Sequence, residues 1–134
     1  MDVHLNFLAV VVAAAANYIL ATLWYAVLFG KVWQKLTGIT GMKPGPGTIV
    51  MSLAGSFIMS YVLWHSILFG NAYVKMSGPA GGLMGGFFGW LGYIVPVTLM
   101  TKLYEKKPWG LWMLDNAFWL ISLLVMGVIL SSWM

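Results

Sequence analysis

Acidic and amide side chains are few in this 134-residue sequence, and three of them fall at least one turn inside long apolar segments. Asp115 and Asn116 lie one turn into the last such segment, and Asn17 lies in the middle of the first. A carboxylate within a membrane is a default candidate for a proton relay. For Asp115 we favour the alternative, an ion pair, because several lysines are expected at the same level: Lys31, Lys35, Lys102 and Lys106.

The two histidines are expected at one end of the apolar segments. His65 would lie about one turn inside the end of the second segment, and His4 begins the first segment at the same end. With Asp2 they have the chemistry for a metal site or for the axial ligands of a haem. No further ligand spacing supports such a site, so we interpret His65 as an interfacial histidine bonded to a neighbour. We expect no metal and no cofactor.

Catalysis by acid, base or nucleophile needs partner groups within hydrogen-bond reach of one another. The sequence has no cysteine, a single glutamate (Glu105), and histidines expected only at one end. A nucleophile, a base and an orienting group cannot be assembled from this set. The sequence therefore predicts a non-enzymatic protein with no catalytic residues.

The composition is that of a membrane protein. Hydrophobic residues make up 61% of the chain and charged residues 7%, whereas soluble domains have about 25% charged residues. A soluble domain of this size could not hide so much apolar surface from water. All seven basic residues are lysines, and they form no basic stripe of the kind that binds nucleic acid. The lipid bilayer is the predicted partner.

Clusters of Gly, Pro and Lys divide the chain into four apolar segments, each long enough as a helix to cross a hydrocarbon core of about 30 Å. Backbone groups in that core must bond within the chain, which favours helices. We predict an all-α, single-domain integral membrane bundle of four transmembrane helices, with a short interfacial helix at about 31–37. The predicted spans are about 5–29, 48–69, 80–103 and 111–134.

The lysines predict the orientation of the bundle. Six of them lie in the first and third loops, and only Lys75 lies in the second. Because positive loops stay in the cytoplasm, both termini should lie outside. No Lys or Arg precedes the first segment, which argues against a cleaved signal peptide.

Small and polar residues recur every four positions on three of the spans. Such rows let helices approach closely. Asn17 is either a polar position on a solute path or, as we favour, an interhelical hydrogen-bonding residue. Three packing surfaces exceed the needs of one small bundle, so at least one should lie between chains. The residues are Ala13 and Asn17; Ser52, Ser56 and Ser60; Gly81, Gly85 and Gly89, with Gly82 and Gly86 beside them.

Two functional hypotheses follow. The favoured one is a non-enzymatic subunit that either self-associates or is an accessory part of a larger membrane complex. The alternative is a small oligomeric channel or transporter. A partial echo of Leu23-Trp24 and Leu28-Phe29-Gly30 in Leu63-Trp64 and Leu68-Phe69-Gly70 suggests an inverted repeat, as transporters have. The alternative explanation of the echo is that helix ends at a membrane surface share residue types. A pore also needs more polar lining than one protomer offers.

Several motifs resemble a family of small bacterial membrane proteins catalogued as domain of unknown function 1761. Leu23-Trp24-Tyr25 with Leu28-Phe29-Gly30-Lys31-Val32-Trp33 resembles its N-terminal signature, and Gly89-Trp90-Leu91-Gly92-Tyr93 its third span. Asn116-Ala117-Phe118-Trp119-Leu120, followed by Met126-Gly127-Val128-Ile129-Leu130, resembles its last span. The resemblance implies four helices, a bacterial inner membrane location and no established activity. The first loop is shorter and less acidic than is typical of the family, and the second Leu-Trp copy is not part of its pattern.

Overall fold

The computed structural model describes residues 5–41 and 43–134, and this part of the chain is all-α. Four of its five helices are long and apolar enough to cross a membrane, as the sequence predicts. Their boundaries differ from the predicted ones by at most five residues, with the largest difference at the end of the second span. The helices are α1 (Phe7–Leu28), α2 (Gly30–Thr37), α3 (Pro46–Val74), α4 (Gly78–Tyr104) and α5 (Trp109–Ser132).

Local chemistry sets the helix ends. The Asn6 side chain caps α1 by accepting a hydrogen bond from the amide of Ala9 at 3.2 Å. Pro46 begins α3, where a missing N–H leaves no carbonyl unpaired. Gly38 ends α2 and Gly78 turns the chain into α4, both at positive φ (74° and 67°), which glycine adopts without strain.

Two of the long helices contain a wider π-helical turn, at Leu23–Leu28 in α1 and at Trp90–Ile94 in α4. The second turn lies just before Pro96, which has no N–H to give to the preceding turn. A proline within a helix typically kinks it, and the structure has a π turn at this point. The Thr98 hydroxyl donates to the carbonyl of Ile94 at 2.7 Å, which satisfies part of the irregular backbone.

The core lies among α1, α3 and α5, and α4 packs on its outside, chiefly against α5. In the most apolar stretch of α5, 44% of the residues are buried, compared with only 6% in that of α4. Consequently α5 is the central helix and α4 the peripheral one. The buried cluster consists of Ala9, Val10, Ala13, Leu63, Trp64, Ile67, Leu123, Met126 and Leu130.

Both described chain ends lie at the same end of the bundle, where the Asn6 side chain donates to the carbonyl of Trp133 at 3.3 Å. At the other end Leu36 of α2 lies against Gly110 at the start of α5. The first and third loops therefore meet there and bring six lysines together. We call this the lysine end. Lys75 lies at the opposite end.

Candidate functional site

Asn17 joins three helices at the centre of the bundle. Its side-chain amide donates to the hydroxyl of Ser56 at 2.7 Å, and its carbonyl oxygen accepts from the hydroxyl of Ser122 at 2.5 Å. All three side chains are buried, as is Ala13 one turn earlier in α1. Nearby, the Ser60 hydroxyl donates to the carbonyl of Val10 at 2.8 Å. These polar groups are thus bonded to one another and hold α1, α3 and α5 together.

Asn116 is the equivalent link between α4 and α5. Its buried side chain donates to the hydroxyl of Thr98 at 3.0 Å and to the carbonyl of Trp112 at 2.9 Å. The indole of Trp90 donates in turn to the backbone carbonyl of Asn116 at 2.9 Å. Both partners on α4 flank Pro96, so Asn116 braces the irregular part of that helix.

Asp115 is bonded to a tyrosine and not to the lysine that the sequence favours. Its Oδ1 accepts a hydrogen bond from the hydroxyl of Tyr25 at 2.5 Å. Tyr25 can reach it because the π turn of α1 packs beside α5, with the tyrosine ring 5.3 Å from that of Phe118. Among the described residues the ion pair is instead Lys107 with Glu105, at 3.0 Å and exposed.

A small pocket of about 90 Å³ lies at the lysine end, between the last turns of α4 and the first turns of α5. We call it the lysine-end pocket. The Trp112 indole nitrogen is buried and has no hydrogen-bond partner in the described structure. The pocket combines hydroxyl, ammonium and carboxylate groups and is lined by Thr98, Thr101, Lys102, Lys107, Leu111, Trp112 and Asp115.

His65 lies deeper than the sequence suggests, because α3 continues to Val74, nine residues beyond it. Its Nδ1 lies 2.9 Å from the carbonyl of Tyr61, and its ring packs between those of Tyr61 and Trp64. His4 and Asp2 lie outside the described residues. Within 5–41 and 43–134, no three His, Asp or Glu side chains come together in a group that could hold a metal ion.

The two glycine rows of α4 face different helices. Gly82 and Gly86 form the tight contact with α5, where a Cβ added at Gly86 would lie 2.5 Å from the carbonyl oxygen of Leu123. Gly82 likewise meets the backbone of Gly127. This contact allows α4 and α5 to approach backbone to backbone.

The row of Gly81, Gly85 and Gly89 faces α3 instead. Gly81 lies against the side chain of Asn71, and a Cβ at Gly85 would lie 2.7 Å from Cγ1 of Ile67. A Cβ at Gly89 would have no neighbour within 4 Å. The two helices therefore touch near their connecting loop and diverge further along the row.

Between α3 and α4 this divergence opens an apolar cleft of about 1080 Å³. We call it the α3–α4 cleft. Gly55, Gly89 and Gly92 line it, and a Cβ added at any of them would meet nothing within 4 Å. Phe88 and Tyr93 also line it, and they expose 59% and 76% of their surface. The cleft surface thus has depressions at the glycines and protrusions at the exposed aromatic side chains.

A family model described as a protein of unknown function (DUF1761) matches residues 8–131. The chain belongs to the DUF1761 family. The match runs from α1 to α5, so the family unit is the whole bundle, and the resemblance found in the sequence is confirmed. Neither a comparison with curated proteins nor one with solved structures gives a match.

Spacing in the sequence of this DUF1761 protein singles out Asn17 and Asn116 but does not assign their partners Ser122 and Thr98. These partners come from helices far along the chain, and a local pattern carries no such pairing. Asn71 was also missed. It lies just past the predicted end of the second span, and its amide donates to the Ser131 hydroxyl at 3.3 Å.

The two halves of the forty-residue echo differ in structure within the DUF1761 bundle. Leu28-Phe29-Gly30 ends α1 and begins α2, whereas Leu68-Phe69-Gly70 continues inside α3. The first copy includes a π turn, and the second is regular α-helix up to Val74. These differences argue against an inverted repeat.

Proposed function

We propose that this DUF1761 protein is a non-enzymatic membrane subunit that self-associates through the α3–α4 cleft. The observation that carries the proposal is the cleft's set of unpartnered glycines, Gly55, Gly70, Gly89 and Gly92. A glycine in a helix interior costs about 1 kcal/mol relative to alanine. In a membrane, the usual compensation is the close approach of another helix.

A second copy of the chain is the occupant that suits this surface. A twofold dimer requires one patch that is complementary to itself. Phe88 and Tyr93 protrude beside the Gly89 and Gly92 depressions, so each protomer offers both a hole and a side chain to fill it. The cleft also lies on α4, which is the least buried of the four membrane-length helices.

The polar interior supports the subunit over the channel or transporter alternative. Asn17 is bonded to Ser56 and Ser122, and Asn116 to Thr98. A conducting path needs polar groups that face an open lumen, whereas these groups bond across helix contacts. We further propose a bacterial inner membrane location with both termini outside, because six lysines gather at one end.

The test is to fill the cleft. Gly92→Leu and Gly89→Leu should convert a dimer into a monomer, as measured by light scattering in mild detergent and by photobleaching steps in liposomes. Neither change should lower the thermal stability of the protomer, since among the described residues no atom beyond the local helix lies within 4 Å of either added Cβ. Ala15→Leu is the matched control, because Ala15 is exposed on α1, away from the cleft.

Three results would overturn the proposal. One is a wild-type chain that is monomeric in liposomes at every density. Another is equal dissociation in Ala15→Leu, which would indicate a general effect of added bulk. The third is a Gly92→Leu chain that keeps its mass but loses a copurifying lipid, since the cleft would then hold lipid and not a second copy.

A further inference from the structure

We infer that the lysine-end pocket binds a phosphate group. The pocket is separate from the α3–α4 cleft, so the inference is independent of self-association. Phosphate reaches this end of the bundle from two sources, the headgroup of a lipid and free phosphate in solution. Both present the same tetrahedral anion to the pocket.

Positive charge at the pocket comes from Lys102 and Lys107. The Lys102 ammonium lies 4.0 Å from the centroid of the Trp109 ring, and none of the described carboxylates pairs with it. Lys107 pairs with Glu105, but both side chains are about half exposed, and exposed pairs are weak and exchangeable. Either ammonium can therefore turn to an incoming anion.

Trp112 supplies an uncharged donor. Its indole N–H is buried, has no acceptor in the described structure, and belongs to a residue that lines the pocket. Trp24 and Trp64 have buried indole N–H groups of the same kind, and of the three only Trp112 belongs to the pocket lining. Buried donors are almost always paired, and one without a partner calls for an explanation. A phosphate oxygen in the pocket would supply the missing acceptor.

The start of α5 adds to the attraction. The helix begins at Trp109 after Pro108 and has no side-chain cap. Its first backbone bond runs from the amide of Trp112 to the carbonyl of Pro108, at 3.3 Å. The amides that precede Trp112 in this turn have no hydrogen-bond partner within the helix, and the helix N-terminus carries partial positive charge. Leu111 of the same turn lines the pocket.

The size and level of the pocket suit a single phosphate. The pocket is small, with a volume of about 90 Å³. Tyr104 and Trp109 are exposed beside it, and aromatic residues of this kind mark the headgroup level of a bilayer. Lipid phosphates can therefore reach it from the side.

Asp115 also lines the pocket, and its negative charge repels an anion there. Whether removal of this charge raises or lowers the affinity for the ligand therefore tests the inference. The Asp115→Asn variant keeps a carbonyl oxygen that can accept from the Tyr25 hydroxyl. It removes only the negative charge. If the ligand is a phosphate, this change should tighten binding severalfold, whereas binding of a cation or of an ammonium group would weaken.

The experiment measures the thermal unfolding midpoint of the full chain in phosphate-free detergent as lipid or inorganic phosphate is added. Phosphatidic acid should raise the midpoint saturably, and diacylglycerol with the same acyl chains should not. If inorganic phosphate raises it as well, the site takes the free anion. If only phosphatidic acid does so, the site takes the lipid headgroup. No response to either would overturn the inference.

Variants then locate the effect. Lys102→Gln and Lys107→Gln should each weaken binding roughly tenfold, as expected for one lost bond to a charged group. Lys35→Gln removes the same charge at the same end from the exposed surface of α2, and it should leave binding unchanged. Equal weakening in Lys35→Gln would indicate a diffuse charge effect and would overturn the inference, as would weaker binding in Asp115→Asn.

Discussion

The Ser122 hydroxyl donates to the Asn17 side chain at 2.5 Å, across 105 residues of sequence. Through its amide Asn17 also holds Ser56, so a single asparagine closes the contact among α1, α3 and α5. All three groups are buried where no water can replace a lost partner. The main role of this link is therefore to stabilise the bundle.

Replacing Asn17 tests this role. Asn17→Leu breaks two interhelical hydrogen bonds of about 0.6 kcal/mol each and leaves two serines without their partner. We expect the free energy of unfolding to fall by about 1–2 kcal/mol, measured in mixed detergent micelles. Ser52→Ala, on the same row of α3 but exposed, should have no effect. Solute flux in proteoliposomes should stay at background in both wild type and Asn17→Leu, and a wild-type flux that Asn17→Leu abolishes would favour the transport alternative.

The features of the fold that the sequence predicts are local ones. Four apolar stretches between Gly, Pro and Lys clusters are enough to place four helices. Contacts between helices are a different matter. Gly81 and Gly82 differ by about 100° around the axis of α4, and both belong to rows of small residues. Only packing decides that Gly82 meets α5 and Gly81 meets α3.

For the candidate sites the same limit applies. Asp115 was expected to pair with a lysine because several lysines share its level. The π turn of α1 places Tyr25 beside it instead, and no residue spacing in the sequence predicts a π turn at Leu23–Leu28. The α3–α4 cleft depends on the divergence of two helices, which is also a tertiary property.

The Tyr25–Asp115 bond can be measured with a double-mutant cycle. Tyr25→Phe and Asp115→Ala, each of which removes one partner of the bond, should show a coupling energy of about 0.5–1.5 kcal/mol in unfolding experiments, as for one hydrogen bond. Tyr18→Phe is the control. Its hydroxyl has no hydrogen bond among the described residues, and it should not couple to Asp115→Ala. Additive effects of Tyr25→Phe and Asp115→Ala would mean that the bond contributes nothing.

The orientation of the bundle can be tested without engineering away any thiols, because the chain has no cysteine. Lys75→Cys should react with a membrane-impermeant maleimide added to intact cells, since a loop with a single lysine is expected outside. Lys35→Cys should react only after permeabilisation. The unsubstituted chain gives the background. The reverse labelling pattern would place both termini in the cytoplasm.

The last prediction concerns two glycines that are three residues apart on α4. At Gly86 an added Cβ would lie 2.5 Å from the carbonyl oxygen of Leu123, and backbone atoms cannot turn aside as a side chain can. Gly86→Ala should therefore force α4 away from α5 and destabilise the bundle by about 1–3 kcal/mol.

At Gly89 the same substitution should have the opposite sign. Within the described part of the chain, no atom beyond the local helix lies within 4 Å of the added Cβ, so only the helix preference of alanine over glycine remains. That preference should stabilise the protomer by up to about 1 kcal/mol. Both variants are to be compared by thermal unfolding in dilute detergent, where association does not contribute. Gly85→Ala should fall between them, because the atom it meets at 2.7 Å, Cγ1 of Ile67, belongs to a side chain and not to the backbone. Equal stability of the Gly86 and Gly89 variants would mean that α4 does not pack on α5 through the Gly82 and Gly86 row.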